Sequence, residues 1–190
     1  RDSSSAGHIT KSGRGTLVLS GTNIAGGGAT FGTTVNEGVL AISDLDNIGG
    51  NTGVVRLAGG TLRLLPGFAD DLSSREVRLL SAGGTIDVTT NDLTLAGAIG
   101  GAAGVSAGGL TKAGTGALTL AGVNTFTGAS TVANGRLVLA GGANNRLAAA
   151  ADLFVGSGSG NAVLQLGNAN GASDQTVSSL SGVTCVQAAD

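Results

Sequence analysis

Tryptophan and tyrosine are absent from these 190 residues, and phenylalanine occurs only at Phe31, Phe68, Phe126 and Phe154. So few aromatics give little material for the core of a two-sheet sandwich. They also supply no girdles of the kind that seat a transmembrane β-barrel. Charged residues make up 12% of the chain, with a formal net charge of −2. That argues against nucleic acid, which wants a basic face and often stacking aromatics, and leaves no polybasic patch for a membrane surface. No run of 18 apolar residues occurs, so no helix is expected to span a bilayer. A single proline, Pro66, excludes polyproline, and the lack of a strict Gly-X-Y triplet excludes collagen. Cys185 stands alone and cannot form an internal disulfide; it is expected to be a small buried residue or a reactive thiol near the end. The chain begins at Arg1 with neither Met nor a signal peptide, as a mature or excised stretch would.

Glycine, by contrast, is abundant, at 36 of 190 residues against a usual share of roughly 7%. It is interleaved with Leu, Val and Ile at every second position, and the mean hydropathy is +0.32. This pattern favours a folded chain over a linker.

The chain repeats itself. Residues 110–139, LTKAGTGALTLAGVNTFTGASTVANGRLVL, have an earlier copy at residues 9–42. At a shift of 101 the first halves match at Thr10/Thr111, Lys11/Lys112, Gly13/Gly114, Gly15/Gly116, Leu17/Leu118, Leu19/Leu120, Gly21/Gly122 and Asn23/Asn124. At a shift of 97 the second halves match through Thr34/Thr131, Val35/Val132, Gly38/Gly135 and Leu40/Leu137. Copy one therefore carries four extra residues around Gly26–Gly28, which locates a surface loop. The only two lysines, Lys11 and Lys112, share one repeat position.

Within a half, leucines two apart point to one side of a strand, and the residues between them are small or hydroxylated, as suits a solvated side. Leu17, Leu19, Leu118 and Leu120 are expected in the core. Such short strands bury their apolar side only by stacking coil on coil. Shorter echoes support stacking: Leu93–Gly97 recurs at Leu118–Gly122, Gly59–Leu62 at Gly83–Ile86, and Leu118–Gly122 at Leu137–Gly141, shifts of 25, 24 and 19. A drifting period near twenty residues reads as coils of a parallel β-solenoid. Spacing alone also fits a β-sandwich; whole-coil repetition and the scarcity of aromatics favour the solenoid. Strands are predicted within 54–65 and 76–90, each split by Gly-Gly, and within 91–97, 153–167 and 175–186, with a loop at 66–74. The alanines of 140–151 are read as a coil corner rather than a helical turn, because Gly and Asn flank them. Composition barely shifts along the chain, so residues 1–190 are expected to form one solenoid stretch.

Candidate chemistry is sparse. Asp70-Asp71 is the most tempting pair, since β-helical polysaccharide hydrolases use clustered carboxylates, but no basic companion accompanies it and a solvated loop is expected. His8 sits near a frayed start. Asp87 alternates with Ile86 and Val88 and should face water; Asp92 lies beyond Thr89-Thr90. Gly83–Asp87 misses the glycine pattern of a calcium roll, and Asp44 and Asp46 lack EF-hand spacing. Gly156–Gly160 lacks any phosphate-loop signature and reads as a turn. No Gly-x-Ser-x-Gly occurs, and the two His/Cys residues are too few for zinc. The lysines could bind an anion twice over, but are expected to be solvated guards of a strand edge. No catalytic, cofactor or metal residue is assigned, and no cofactor is expected.

The run Leu-Thr-Lys-x-Gly-x-Gly-x-Leu-x-Leu-x-Gly-x-Asn, followed by a turn and Thr-Val-x-x-Gly-x-Leu, resembles the autotransporter-associated β-strand repeat of Gram-negative autotransporter passenger regions. Residues 10–23 and 110–124 carry its first part, residues 34–40 and 131–137 its second. Residues 174–182 look like a segment common between such repeats. The motif covers about a third of the chain. The resemblance implies a right-handed parallel β-helix, export across the inner membrane, and passage across the outer membrane by a C-terminal β-barrel of the same precursor. It also implies that the repeat assists secretion and folding. Near-absence of cysteine fits such a route, where bridges would obstruct threading. The reading is a structural passenger segment, extracellular or on the cell surface, not inserted in a membrane and not an enzyme. The alternatives are an adhesin face binding glycan, a host surface or another copy of itself, and a carbohydrate-active enzyme. An adhesin should show an exposed ladder of Thr, Asn or aromatics, and an enzyme converging carboxylates.

Overall fold

The computed structural model describes residues 8–22, 32–49, 53–70, 72, 75–100, 108–140, 142–156, 160–182 and the backbone of 185–187. Strands are numbered in chain order. Sheet one holds β1 (His8–Lys11), β3 (Gly32–Val35), β5 (Val54–Leu57) and β7 (Glu76–Leu79). Sheet two holds β2 (Thr16–Leu19), β4 (Val39–Ile42), β6 (Thr61–Leu64), β8 (Gly84–Asp87), β10 (Leu110–Ala113), β12 (Ser130–Val132), β14 (Asp152–Val155) and β16 (Ser179–Gly182). Sheet three holds β9 (Leu93–Leu95), β11 (Ala117–Leu120), β13 (Gly135–Leu139), β15 (Ala162–Leu166) and β17 (Cys185–Gln187). Every strand pairing is parallel, and each joins a strand to the one a coil further on. This is a β-solenoid, all-β, with one 3-10 turn at Leu45–Ile48 and no α-helix among the described residues.

The short sequence echoes are rung registers. Leu93 pairs with Leu118, Thr61 with Thr85 and Leu118 with Leu137, at the shifts of 25, 24 and 19 residues read from the sequence. The two halves of each repeat are likewise stacked on one another. Thr10 pairs with Thr34 and Leu17 with Leu40; Thr111 pairs with Thr131 and Leu118 with Leu137. One repeat is thus two successive rungs around one corner.

The two copies do not lie on the same pair of sheets. Copy one lies on sheets one and two, copy two on sheets two and three. Up to β8 the chain forms strands on sheets one and two in each coil; from β8 onward it forms them on two and three. Among the described residues sheet one then continues as a single parallel bridge, Val77 to Ile99. Beyond it, side-chain amides reinforce scattered backbone bonds, such as Thr125 N to Ile99 O at 2.9 Å and Asn124 N to Arg146 O at 3.1 Å. Asn124 accepts from Ile99 N at 2.7 Å and donates to Arg146 O at 2.7 Å, joining the rung before to the rung after. Gln175 binds both backbone groups of Leu147, at 2.9 and 3.0 Å. Residues 142–151 form turns, as expected of a corner, and bury Leu147 and Arg146.

Inward ranks build the core. Leu93, Leu118, Leu137 and Leu164 form one column, and Leu95, Leu120 and Leu139 the next, all buried. Leu118 and Leu120 are fully buried, as expected. Leu17 and Leu19 correct that expectation. They lie on the same inward ranks as Leu40 and Ile42, but Leu17 is 38% exposed and Leu19 only partly buried. The reason is position: β2 is the edge of sheet two, so no described rung lies beyond it. Orientation follows from the alternation, whereas cover depends on a neighbouring coil. Backbone register sets Cys185 opposite Leu164.

Candidate functional site

The repeat's corner is its most distinctive construction. Lys112 occupies an inward rank of sheet two, between Ile86 and Val132, and is 0% exposed. It is the last inward residue before the Gly114-Thr115-Gly116 turn, so its stem runs through the core and its ammonium reaches the corner. There Nζ donates to the carbonyls of Ala113 at 3.0 Å, Gly114 at 2.6 Å and Asn134 at 3.0 Å. Lys11 repeats the arrangement with Ser12 at 3.1 Å, Gly13 at 2.5 Å and Glu37 at 3.1 Å, and is 7% exposed. Two carbonyls in each cage come from the lysine's own turn and the third from the next rung. Gly38 and Gly135 seal the same corner at φ +65° and +67°. A Cβ at Gly38 would lie 2.5 Å from Gly13 O, and one at Gly135 2.5 Å from Gly114 O, so side chains are excluded by both conformation and space.

The expectation of solvated lysines guarding a strand edge is therefore corrected at both positions. The anion-binding alternative fails for the same reason, since each ammonium spends its donors on three carbonyls. A charged residue type suggested the surface, but an alkyl stem long enough to cross a buried rank can still satisfy its head at a turn.

Among the described residues the carboxylates do not converge. Asp70 is half-buried and accepts from Leu45 N at 2.6 Å, tying its loop to the 3-10 turn rather than standing in solvent; Asp71 lies outside the described residues. Asp44 caps that turn, accepting from Asp46 N at 2.7 Å. Asp87 is on the outward rank, as its alternation requires, but is paired with Arg63 at 2.7 Å instead of facing water freely. Asp92 accepts from Ala117 N at 2.8 Å. His8 is exposed on β1. Among the described residues no three His, Cys, Asp or Glu side chains group closely enough to hold a metal ion. Gly26–Gly28 and Ser157–Ser159 lie outside the described residues, as does Asn23.

The outward rank of sheet two carries Thr61, Thr85, Thr111 and Thr131 in register, half-exposed, with Phe154 next in line. Comparison with known proteins meets this architecture at the repeats. Residues 9–42 and 110–145 match the family model of the passenger-associated-transport-repeat. This is an autotransporter passenger chain. The passenger is also similar to the adhesin BmaC autotransporter of Brucella suis biovar 1 (strain 1330), with 36% identity over 138 residues. That match covers 72% of the passenger and 4% of the relative's own length. No solved structure matches the passenger.

Arg75 and Arg146 are buried cations that sequence reasoning missed. Arg75 donates to Ile48 O at 3.0 Å. Arg146 donates through Nε to Ala140 O at 3.0 Å and through Nη1 to Ala121 O. Both serve carbonyls at corners, as the lysines do, but without a repeat to flag them.

Burial pushes the Lys112 ammonium down from 10.5 to about 8, against the upward pull of Asp87 and Asp92. Below about pH 8 the group is charged whether folded or unfolded and adds no slope. Between about pH 8 and 10.5 the unfolded chain keeps a proton that the folded one has released, so raising the pH favours the folded state. The melting midpoint of the passenger should therefore rise across that window relative to Lys112→Met. A constant difference between the two would count against a depressed lysine.

Proposed function

We propose that this chain is a structural stretch of a secreted or surface-displayed Gram-negative autotransporter: a scaffold that folds outside the cell, holds the passenger extended and presents other elements. All of residues 1–190 serve as one solenoid stretch in this reading, with no enzymatic role and no cofactor. Its partner in export is a translocator barrel of the same precursor. The observation that carries the reading is the unbroken stack of sheet two, eight rungs running through both repeats. Each rung completed adds backbone bonds and apolar burial to the last, so a chain folding as it emerges is held against sliding back.

The rung register supplies the test. Leu110 pairs with Ser130, so deleting residues 110–129 removes one whole coil and rejoins the chain in phase. Deleting residues 110–139 instead joins the approach to sheet two directly to the exit from sheet three, and breaks the phase. In the precursor, the out-of-phase deletion should lower the surface-labelled fraction of passenger well below that of the in-phase deletion. Equal, unreduced surface fractions would sink the scaffold reading.

The second reading is an adhesin face, favoured by the ladder Thr61–Thr85–Thr111–Thr131 with exposed Phe154 beyond it, and by a relative described as an adhesin. Loss of adhesion in either deletion with an unchanged surface fraction would support it instead.

A further inference from the structure

We infer that the outer edge of sheet three carries a binding cleft for a pyranose bearing a carboxylate, a uronic or nonulosonic sugar acid. This goes beyond the scaffold reading and does not rest on it.

Register sets Asp92, Ala117, Arg136 and Val163 in one outward rank, alternating with the buried leucines beside them. Successive rungs stand about 4.7–4.9 Å apart, so Asp92 and Arg136, two rungs apart, flank a gap of about 9–10 Å between their backbones. The intervening residue is Ala117, whose methyl leaves that gap unfilled. The result is a cleft of about 280 Å³, to which Asn161 also contributes. That is near the lower end for small-molecule sites and suits one sugar ring.

Its polar groups are fixed on one side and open on the other. Asp92 Oδ1 is held by Ala117 N–H at 2.8 Å, and Oδ2 has no partner among the described residues. Arg136 gives one Nη1 donor to Gln165 Oε1 at 3.3 Å, and its other donors are unengaged there. The Asn161 side-chain amide is likewise unengaged. A guanidinium takes a carboxylate in a two-bond fork. A carboxylate and an amide lining the same cleft suit hydroxyls, accepting from them and donating to them. Asp92 disfavours a phosphate or sulfate dianion in the same space, and a lone carboxylate beside a guanidinium is a poor cation site. Neutral sugars would leave Arg136 unanswered. The feature belongs to copy two alone: the residue of copy one matching Arg136 is Val39.

The test is titration of the 190-residue protein with glucuronic acid, N-acetylneuraminic acid and glucose, read by ligand-observed nuclear magnetic resonance, with melting midpoints as the check on folding. At least one sugar acid should bind and glucose should not. Arg136→Gln, Asp92→Asn, which keeps an oxygen for Ala117 N–H, and Ala117→Leu, which fills the gap, should each weaken binding about tenfold or more while leaving the melt unchanged. Tighter binding of an oligosaccharide ending in the same acid would identify a glycan terminus as the source; equal binding would identify the free acid. Absence of binding by both acids, equal binding of glucose, or undiminished binding by all three folded variants would overturn the assignment.

Discussion

Replacing Leu118 or Leu120 by alanine is expected to lower the free energy of unfolding by about 2–5 kcal/mol, the range for truncating a fully buried leucine. Both are 0% exposed. Leu118 stands between Leu93 and Leu137, and Leu120 between Leu95 and Leu139. The geometry favours the upper part of the range. Backbone bonds fix the spacing between rungs, so the leucines above and below cannot close onto the hole, and the cost of a cavity rises as the site fails to relax. Leu17→Ala supplies the comparison, because it holds the same repeat position, on an inward rank at the edge of sheet two. With 38% of its surface already in water, it removes less burial and opens no closed cavity. Denaturant melts should separate the two substitutions clearly. Equal losses at Leu17 and Leu118 would mean that another rung covers β2 in solution.

Lys112→Ala should also cost more than about 2 kcal/mol, since a single buried acceptor left without a donor costs about 1–3 kcal/mol and three carbonyls share this ammonium. The stem contributes as well, filling the rank between Ile86 and Val132. Lys112→Met separates the two effects, because it keeps a flexible apolar stem of similar length and removes only the donor. A loss in Lys112→Met comparable to that in Lys112→Ala assigns the stability to the cage. Near wild-type stability in Lys112→Met would show that the carbonyls do without it. Lys11→Met tests the same chemistry at the other repeat, in β1, at the edge of sheet one.

Much of this architecture was legible in the sequence, because parallel in-register stacking writes each rung's neighbour as a near-copy of itself. Leu93-Thr94-Leu95 and Leu118-Thr119-Leu120 are alike because they are paired residue for residue. The alternation of leucine with threonine gave the faces correctly, and Gly/Asn turns marked the corners. What it could not give was cover. Leu17 and Leu118 are the same letter at the same motif position, yet a rung lies on both sides of Leu118 and on one side of Leu17 among the described residues. Nor could it give the reach of a long side chain. Lys112, Arg146 and Arg75 look like surface residues until their heads are traced to corner carbonyls. The acidic candidates failed for a related reason: Asp70, Asp87 and Asp92 are each engaged by a different backbone or guanidinium partner on a different rung. The cleft beside Asp92 was equally hidden. It arises from residues 92, 117, 136 and 161, which only the coil spacing brings together.

The displacement of the second repeat onto the next pair of sheets has a consequence for valency. Side chains at matching motif positions emerge on different flanks of the fibre, as Val39 does on sheet two and Arg136 on sheet three. A flat target cannot engage matching positions of both copies at once, so doubling the motif does not build a bivalent patch. It gives the passenger two separately addressed sides, on which substitutions in one copy can diverge without disturbing whatever the other copy meets.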